Sequence, residues 1–266
     1  MKIGKFIVMI IAVLLLEGGI LLGMSAILPE RRVYGGTKQG VETASFVSET
    51  ATDEAGNMDK ALLDRSGEKK AQEIYEGNKK ILVLVNASNE LSQDYDPKLG
   101  TICNGRLKAS RRLKDALVDM LQDASEEGHQ FWIASAWRSR EKQQKLVDED
   151  VQEAMRKGMS YEEALQETYK ETMPAGCSEH ETGLALDILC AGNTVLDQSQ
   201  EEEPGNQWLR KNSWRYGFIL RYPKGKKKVT GIRYEPWHFR YVGKKAAAYM
   251  HKYDLTLEEF WEKIQK

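Results

Sequence analysis

An apolar run near the N-terminus limits which part of this chain can form a water-soluble fold. Residues 6–28 are apolar apart from Glu17, and a helix needs about 20 such residues to cross the hydrocarbon core of a bilayer. Lys2 and Lys5 precede the run, which places the N-terminus in the cytoplasm by the positive-inside rule. The sequence predicts a single transmembrane helix within residues 1–29, with the rest of the chain outside the cell.

A cleaved signal peptide is the alternative for the same run. Signal peptides have a shorter apolar stretch and a small-residue cleavage site, and Ser25 and Ala26 resemble such a site only weakly. Glu17 argues against a membrane span, because an acid near mid-membrane is costly. The length of the run favours an uncleaved anchor, and the globular part lies outside the membrane in either case.

The composition changes after the apolar run. Residues 30–78 are rich in Gly, Ser, Thr, Glu and Lys and poor in large apolar residues, so they bury too little surface to fold alone and predict a flexible linker. A short helix within residues 60–77 is the one element expected there. The folded domain is therefore predicted over residues 79–266.

Charge and cysteine content exclude some classes of protein. The formal net charge is −1, so no basic excess points to nucleic acid as a partner. Three cysteines are too few for a disulfide framework. Cys177 and Cys190 could pair in an oxidising environment, or remain as packed free thiols, and the sequence leaves this choice open.

Residues 79–266 mix strand-like and helix-like patterns without a regular strand–helix alternation. This predicts an α+β fold, with a small antiparallel sheet and flanking helices. The predicted strands are 81–86, 131–137, 183–190, 218–223 and 235–243, and the predicted helices are 104–128, 139–158, 160–173, 206–218 and two more after residue 243, with a polar loop at 224–231.

Polar residues on or beside the apolar strands are the candidates for chemistry. Asp187 lies between Leu186 and Ile188, His180 precedes the same strand, and His238 lies in the segment EPWHF. Two histidines and one aspartate form a suitable three-ligand set for a catalytic zinc, which keeps its fourth position for water. The alternatives are a solvent-facing aspartate and a core histidine with a satisfied hydrogen bond.

Two further residues supply what a zinc hydrolase needs. Glu235 lies three residues before His238, a spacing that keeps it near the metal as a general base without making it a ligand. Arg138 ends the strand 131–137 and could hold an oxyanion or a substrate carboxylate by paired hydrogen bonds. Taken singly, Glu235 could also be a turn residue and Arg138 a surface ion-pair residue.

Three segments resemble the motifs of VanY-type zinc D-alanyl-D-alanine carboxypeptidases. SAWRSREKQQ (135–144), SEHETGLALDI (178–188) and EPWHFRYVG (235–243) are similar to Ser-x-Tyr-Arg-Ser-x-x-x-Gln, Ser-x-His-x-x-Gly-x-Ala-x-Asp and Glu-x-Trp-His-x-Arg-Tyr. The resemblance extends over roughly residues 80–255. Trp137 departs from the usual Tyr, and Cys177 is not part of the pattern.

The resemblance implies a role for each matching position. His180, Asp187 and His238 would bind one Zn²⁺ per chain, Glu235 would activate water and return its proton to the leaving amine, and Arg138 would stabilise the oxyanion or the terminal carboxylate. Ser178 and Gln143 would contact the C-terminal residue of the substrate. Gly183 would allow the turn between the first two ligands.

The activity implied by the family is removal of the C-terminal D-alanine from peptidoglycan stem peptides or their lipid-linked precursors. An L,D-carboxypeptidase that trims tetrapeptide stems would use the same motifs, so the sequence does not separate the two. A wall-binding module without activity is a third hypothesis, against which all the motif residues are present. A dipeptidase of the VanX type does not suit a domain outside the cytoplasm.

Overall fold

The structure, a computed structural model, describes residues 66–265. The predicted transmembrane helix and residues 30–65 of the predicted linker lie outside this part of the chain. Within residues 66–265, no helix combines the length and the apolar character needed to cross a membrane.

The described elements alternate irregularly between helices and short strands. In chain order they are α1 (66–76), β1 (Leu99–Ile102), β2 (Leu107–Ser110), α2 (Lys114–Glu126), β3 (Phe131–Ser135), α3 (Arg140–Arg156), α4 (Tyr161–Thr168), β4 (Ala185–Cys190), α5 (Pro204–Asn212), β5 (Phe218–Leu220), α6 (Lys227–Thr230), β6 (His238–Tyr241), α7 (Lys244–Tyr253) and α8 (Leu257–Ile264). The predicted α+β class is confirmed for this domain.

A four-stranded antiparallel sheet forms the centre of the domain. Its strand order is β3-β4-β6-β5, and every residue of β4 is buried, which fits the apolar sequence ALDILC. In the β4–β6 pair, Leu186 lies opposite Phe239 and Asp187 lies opposite His238. Because side chains alternate along a strand, the apolar pair and the polar pair face opposite sides of the sheet.

The apolar side of the sheet packs into the main hydrophobic core. Leu186, Ile188 and Phe239 contact Leu113, Leu117 and Met120 of the α2 region and Trp208 and Leu209 of α5. Burial of side chains of this size contributes about 1.5–3 kcal/mol each to folding. This core fixes the position of β4 and β6, and therefore of the polar residues on their other face.

A second core brings α1 into the folded domain. Ala71 and Ile74 of α1 are buried with Tyr249 and Met250 of α7 and Phe260 of α8. The hydroxyl of Tyr249 donates to the carbonyl of Gly67 at 2.8 Å. Residues 66–78, which the composition predicts to be linker, are therefore part of the packed domain, because a few apolar residues at helical spacing find a partner surface in distant α7 and α8.

Several predicted elements differ from the structure. Residues 81–86 do not form a strand. The carbonyls of Ile81 and Val83 accept from Nη2 of Arg240, and that of Leu82 accepts from Nε1 of Trp261. Side chains thus satisfy the backbone groups that a sheet neighbour would otherwise pair with.

The predicted helix over 104–128 begins later than expected. Its first residues form the hairpin β1–β2, in which Ile102 pairs with Leu107. Cys103, Asn104 and Gly105 all have positive φ in the connecting turn, and Asn-Gly is a strong hairpin signal.

In the predicted polar loop, residues Lys227–Thr230 form one helical turn, α6. All three cysteines are free thiols.

Candidate metal centre

Asp187 and His238 meet because their strands pair in register. They are direct partners across β4 and β6, and Ser135 of β3 is the partner of Asp187 on its other side. Nδ1 of His238 lies 3.3 Å from Oδ1 of Asp187. The two side chains stand on the face of the sheet that is turned away from the main core.

His180 reaches the same place from a short helical turn before β4. Residues Glu179–Thr182 form a 3-10 helix that ends at Gly183, whose φ of +69° is left-handed. A Cβ at this glycine would lie 3.0 Å from the backbone nitrogen of Ser110, so glycine also permits close packing. Nδ1 of His180 contacts the carbonyl of Ala136 at 2.7 Å, which leaves Nε2 directed at Asp187, 3.3 Å from Oδ2.

The three side chains form a buried group that fits a divalent metal. One donor atom from each of His180, Asp187 and His238 lies within 4.8 Å of the others. Oδ1 of Asp187 is buried and no donor bonds it in hydrogen-bond geometry, which is costly for a carboxylate unless a cation completes its coordination. Two imidazole nitrogens and one carboxylate are a donor set that zinc accepts.

Charge interactions in the metal-free site favour a protonated His238. Burial alone would lower the pKa of His238, but the neighbouring carboxylates of Asp187 and Glu179 raise it to about 9. Burial alone would raise the pKa of Asp187, whereas the two histidines hold it well below its usual range. The carboxylates beside His238 thus favour a positive charge at this position.

Glu235 lies beside the three donors and is not one of them. Its Oε2 is 3.7 Å from Nδ1 of His238, and its backbone nitrogen donates to the carbonyl of Tyr222 at 3.1 Å. Burial raises the pKa of Glu235 to about 7. A carboxyl group with such a pKa can accept and return a proton near neutral pH.

A cleft of about 220 Å³ opens onto the site. All seven site residues that the sequence predicts lie along it, namely Arg138, Gln143, Ser178, His180, Asp187, Glu235 and His238. The structure therefore brings together residues that are up to 100 positions apart in the chain. A concave site into which a few polar groups converge is the usual form of a ligand-binding site.

Arg138 and Gln143 lie in this cleft with unused hydrogen-bonding capacity. Within residues 66–265 the guanidinium of Arg138 has no carboxylate at ion-pair distance, and its one side-chain hydrogen bond is a 3.5 Å contact with Oγ of Ser135. Gln143 donates to the carbonyl of Met173 at 2.6 Å, while its Oε1 is buried without a partner. Both groups are available to a ligand that carries a carboxylate or an amide.

Several residues of the cleft are not among those that the sequence predicts. Tyr222, whose ring centroid lies 4.9 Å from that of His238, and Leu196 and Ile232 form part of its wall. Glu179, next to His180 in the chain, is fully enclosed and contacts His238. The signal for Glu179 was indirect: Arg221 and Arg240 interrupt two apolar strand patterns, and buried arginines require a buried acid.

Comparison with protein families identifies one match over half of the chain. The model of the VanY family, described as D-alanyl-D-alanine carboxypeptidase, matches residues 106–244. A D-alanyl-D-alanine carboxypeptidase of Enterococcus faecalis (strain ATCC 700802 / V583) is 38% identical over 182 residues, which cover 67% of this chain and 65% of that protein.

Solved structures match the same part of the chain. A VanY D,D-pentapeptidase mutant from a VanB-type resistance cassette, in complex with Zn(II), is 37% identical with a TM-score of 0.62, covering 68% of this chain and 99% of that one. VanYB in complex with D-alanine-D-alanine is 38% identical with the same TM-score, 0.62, over 68% and 97%. The LD-carboxypeptidase LdcB is 35% identical with a TM-score of 0.60, over 69% and 86%.

Proposed function

This chain belongs to the VanY family of D-alanyl-D-alanine carboxypeptidases, and from that membership we propose that it is a zinc-dependent hydrolase that removes the C-terminal D-alanine from peptidoglycan stem peptides. The observation that carries the proposal is the buried group of His180, Asp187 and His238 beside Glu235, in one cleft with Arg138. Relatives with the same fold include one solved with Zn(II) and one solved with D-alanine-D-alanine.

Each residue has a proposed task in peptide hydrolysis. Nε2 of His180, the carboxylate of Asp187 and Nδ1 of His238 would hold the zinc, because the other ring nitrogens face Ala136 and Glu179. Zinc bound there would lower the pKa of a coordinated water to about 7 and polarise the scissile carbonyl. Glu235 takes the proton of the attacking water on its carboxylate and delivers it to the nitrogen of the leaving alanine.

Arg138, Gln143 and Ser178 are proposed to hold the end of the peptide. The guanidinium of Arg138 supplies a forked donor for the terminal carboxylate or for the oxyanion. Gln143 Oε1, which is buried without a partner, is suited to accept from a peptide N–H. Ser178 lies on the same cleft wall next to the turn that carries His180. A cleft that recognises a free carboxylate explains cleavage of one terminal residue.

An L,D-carboxypeptidase is the second candidate function. The similarity to LdcB, at 35% identity and a TM-score of 0.60, favours it specifically, because the same zinc site would act on a stem that ends in a single D-alanine. The walls of the cleft around the penultimate residue, which include Leu196, Tyr222 and Ile232, would select between the two stems. An inactive wall-binding module would not need the base Glu235 and all three donors together.

The proposed location is the outer face of the cell membrane. The apolar run 6–28 is proposed to anchor the chain as a single-pass helix, and the polar residues that follow it to act as a tether. A domain held there meets peptidoglycan and its lipid-linked precursors without diffusing through bulk solvent. Protease accessibility of the domain in intact cells, against a cytoplasmic control protein, tests this location.

Mass spectrometry of reaction products tests the activity. Full-length protein is incubated with a synthetic pentapeptide stem ending in D-Ala-D-Ala and, separately, with the tetrapeptide ending in D-Ala. Loss of one alanine from the pentapeptide, abolished by a zinc chelator and restored by zinc, is the expected result. Loss from the tetrapeptide alone would establish the L,D activity instead. Absence of cleavage of both by zinc-loaded protein would refute the proposed function, and Glu235→Gln serves as the matched inactive control.

A further inference from the structure

Glu179 is a carboxylate with no access to solvent, and it lies directly behind the candidate metal centre. Its Oε2 is 3.4 Å from Nε2 of His238, on the side of the ring opposite to Asp187 and Glu235. Its Oε1 accepts from Nε of Arg221 at 2.8 Å and from Nη1 of Arg240 at 2.6 Å. Both oxygens are thus engaged, one by arginines and one by the histidine.

The two arginines are themselves fixed by other parts of the fold. Arg240 donates to the carbonyls of Ile81 and Val83 at 3.0 and 2.9 Å. Arg221 forms a bidentate pair with Glu258 of α8, at 2.6 and 2.8 Å. Both arginine side chains are completely buried. The two arginines therefore fix the position of the Glu179 carboxylate independently of the histidine.

Such a carboxylate restricts the ring of His238. A neutral imidazole carries one N–H and one free nitrogen, and the acceptor at Nε2 favours the tautomer with its proton on that side. Nδ1 is then the free nitrogen, and it faces Asp187. Metal-ligating histidines usually donate their other N–H to a carboxylate or a carbonyl, which fixes the tautomer and the ring orientation.

We propose that Glu179 is a positioning residue that holds His238 with Nδ1 directed at the metal, and that Arg221 and Arg240 hold Glu179 in place for that task. The proposal rests on the proposed zinc site. Glu179 would fix the orientation of the His238 ring, which the three donors alone do not do, because a free histidine ring could turn and present either nitrogen. The carbonyl of Ala136 does the corresponding work for His180.

A purely structural role is the alternative explanation for Glu179. Two buried guanidinium groups need a counter-charge wherever they lie, so removing the acid would destabilise the fold even if His238 did not depend on it. The two explanations differ in what happens to zinc affinity in protein that is still folded. A structural role changes the stability of metal-free protein, whereas a positioning role also changes the equilibrium between metal and the folded site.

Two substitutions separate these explanations. Glu179→Asp keeps the charge that Arg221 and Arg240 require, but it is one methylene shorter, so it can no longer reach both the arginines and Nε2 of His238. Glu179→Gln keeps the shape and removes the charge. Glu181→Gln is the matched control, because Glu181 is a buried carboxylate in the same turn that binds Arg140 and the nitrogen of Gly176 instead of a histidine.

Zinc affinity of the full-length proteins is measured by competition with a chelator of known affinity, with the thermal melting of metal-free protein recorded in parallel. We expect Glu179→Asp to weaken zinc binding by about 10- to 100-fold and to require correspondingly more zinc for activity, while Glu181→Gln stays within about threefold of wild type. If Glu179→Gln does not fold, the Asp variant decides the question alone.

Folded Glu179→Asp protein with wild-type zinc affinity would overturn the proposal, as would equal weakening in the Glu181→Gln control. These outcomes are distinct from failure of the proposed function itself. If the proposed function failed, the wild-type protein itself would bind no zinc or cleave no stem peptide, without any comparison among variants.

Discussion

Oε2 of Glu235 lies 3.7 Å from Nδ1 of His238, three positions further along the chain. At this distance a cation bound to His238 would interact electrostatically with the Glu235 carboxylate. Glu235 is nevertheless outside the group of three donors that lie within 4.8 Å of one another. The turn between them contains Pro236, whose carbonyl accepts from Nδ2 of Asn206 at 2.7 Å. This hydrogen bond holds the turn that sets the distance between the proposed base, Glu235, and the proposed metal ligand, His238.

Replacing Glu235 by Gln should remove catalysis without removing zinc. The amide has the same shape but cannot accept the proton of the attacking water, and general-base catalysis contributes about 10²- to 10⁴-fold. We expect kcat to fall by that factor and zinc content, measured by elemental analysis, to remain at one per chain. Wild-type turnover in this variant would contradict the role assigned to Glu235.

Replacing His238 by Ala should abolish zinc binding. One of three donors is lost and the remaining pair, His180 and Asp187, no longer completes the site. The expected readout is loss of zinc after dialysis and loss of stem-peptide cleavage together. His251, which stacks on Trp214, provides a control: His251→Ala should retain its zinc. A His238→Ala protein that remains fully loaded would place the metal elsewhere.

Zinc binding should release at least one proton at neutral pH, because His238 must lose a proton to become a ligand. The pKa of His238 is raised to about 9 in the metal-free site, so the ring is protonated below that pH. Calorimetric titrations with zinc in buffers of different ionisation enthalpy measure the number released. A binding enthalpy that does not vary with the buffer would show that His238 was already neutral.

Activity should fall on acidification, with the sign set by Glu235. Its pKa is raised to about 7 in the metal-free site, so the basic form is present above that pH and is lost below it. The charge of bound zinc lowers this pKa, which moves the acid limb of the profile of kcat/KM below pH 7. A constant kcat/KM from neutral pH down to well below pH 5 would contradict Glu235 as the base.

Replacing Arg138 by Ala should distinguish two roles for this residue, stabilising the oxyanion and holding the terminal carboxylate of the substrate. Loss of an interaction made only in the transition state lowers kcat and kcat/KM together, whereas loss of a ground-state anchor raises KM with little effect on kcat. We expect a decrease of about 10²-fold or more in kcat/KM, because a group that stabilises an oxyanion inside an active site is worth that much. Steady-state kinetics on the pentapeptide stem distinguish the two roles, and kinetics equal to wild type would exclude both.

Local patterns in the sequence predict much of the domain around the site. The apolar strand containing Asp187 forms the central strand β4, and the last two residues of the EPWHF segment begin the other central strand, β6, because a run of apolar residues broken by one polar side chain is a local signal. The motif spacing then predicts which polar residues share a face. The assignment of individual tasks to these residues stays a prediction.

What the sequence does not predict depends on distant partners. The buried charges of Glu179, Arg221, Arg240 and Glu258 come from four separate segments, and each one alone reads as a surface residue. Residues 81–86 resemble a strand because their apolar pattern is local. The arginine and tryptophan that donate to their carbonyls lie about 160–180 positions away in the chain, so these hydrogen bonds cannot be predicted from the local sequence.

The direct pairing of Asp187 with His238 separates the chemistry of this enzyme from its choice of substrate. The two strands hold the donors opposite each other, whatever the length of the chain that connects them. The connecting segment carries Leu196, Tyr222, Ile232 and Arg233 of the cleft wall. Insertions and substitutions in that segment can therefore reshape the specificity of the cleft in evolution while the metal donors keep their places, provided that the register of β4 and β6 is preserved.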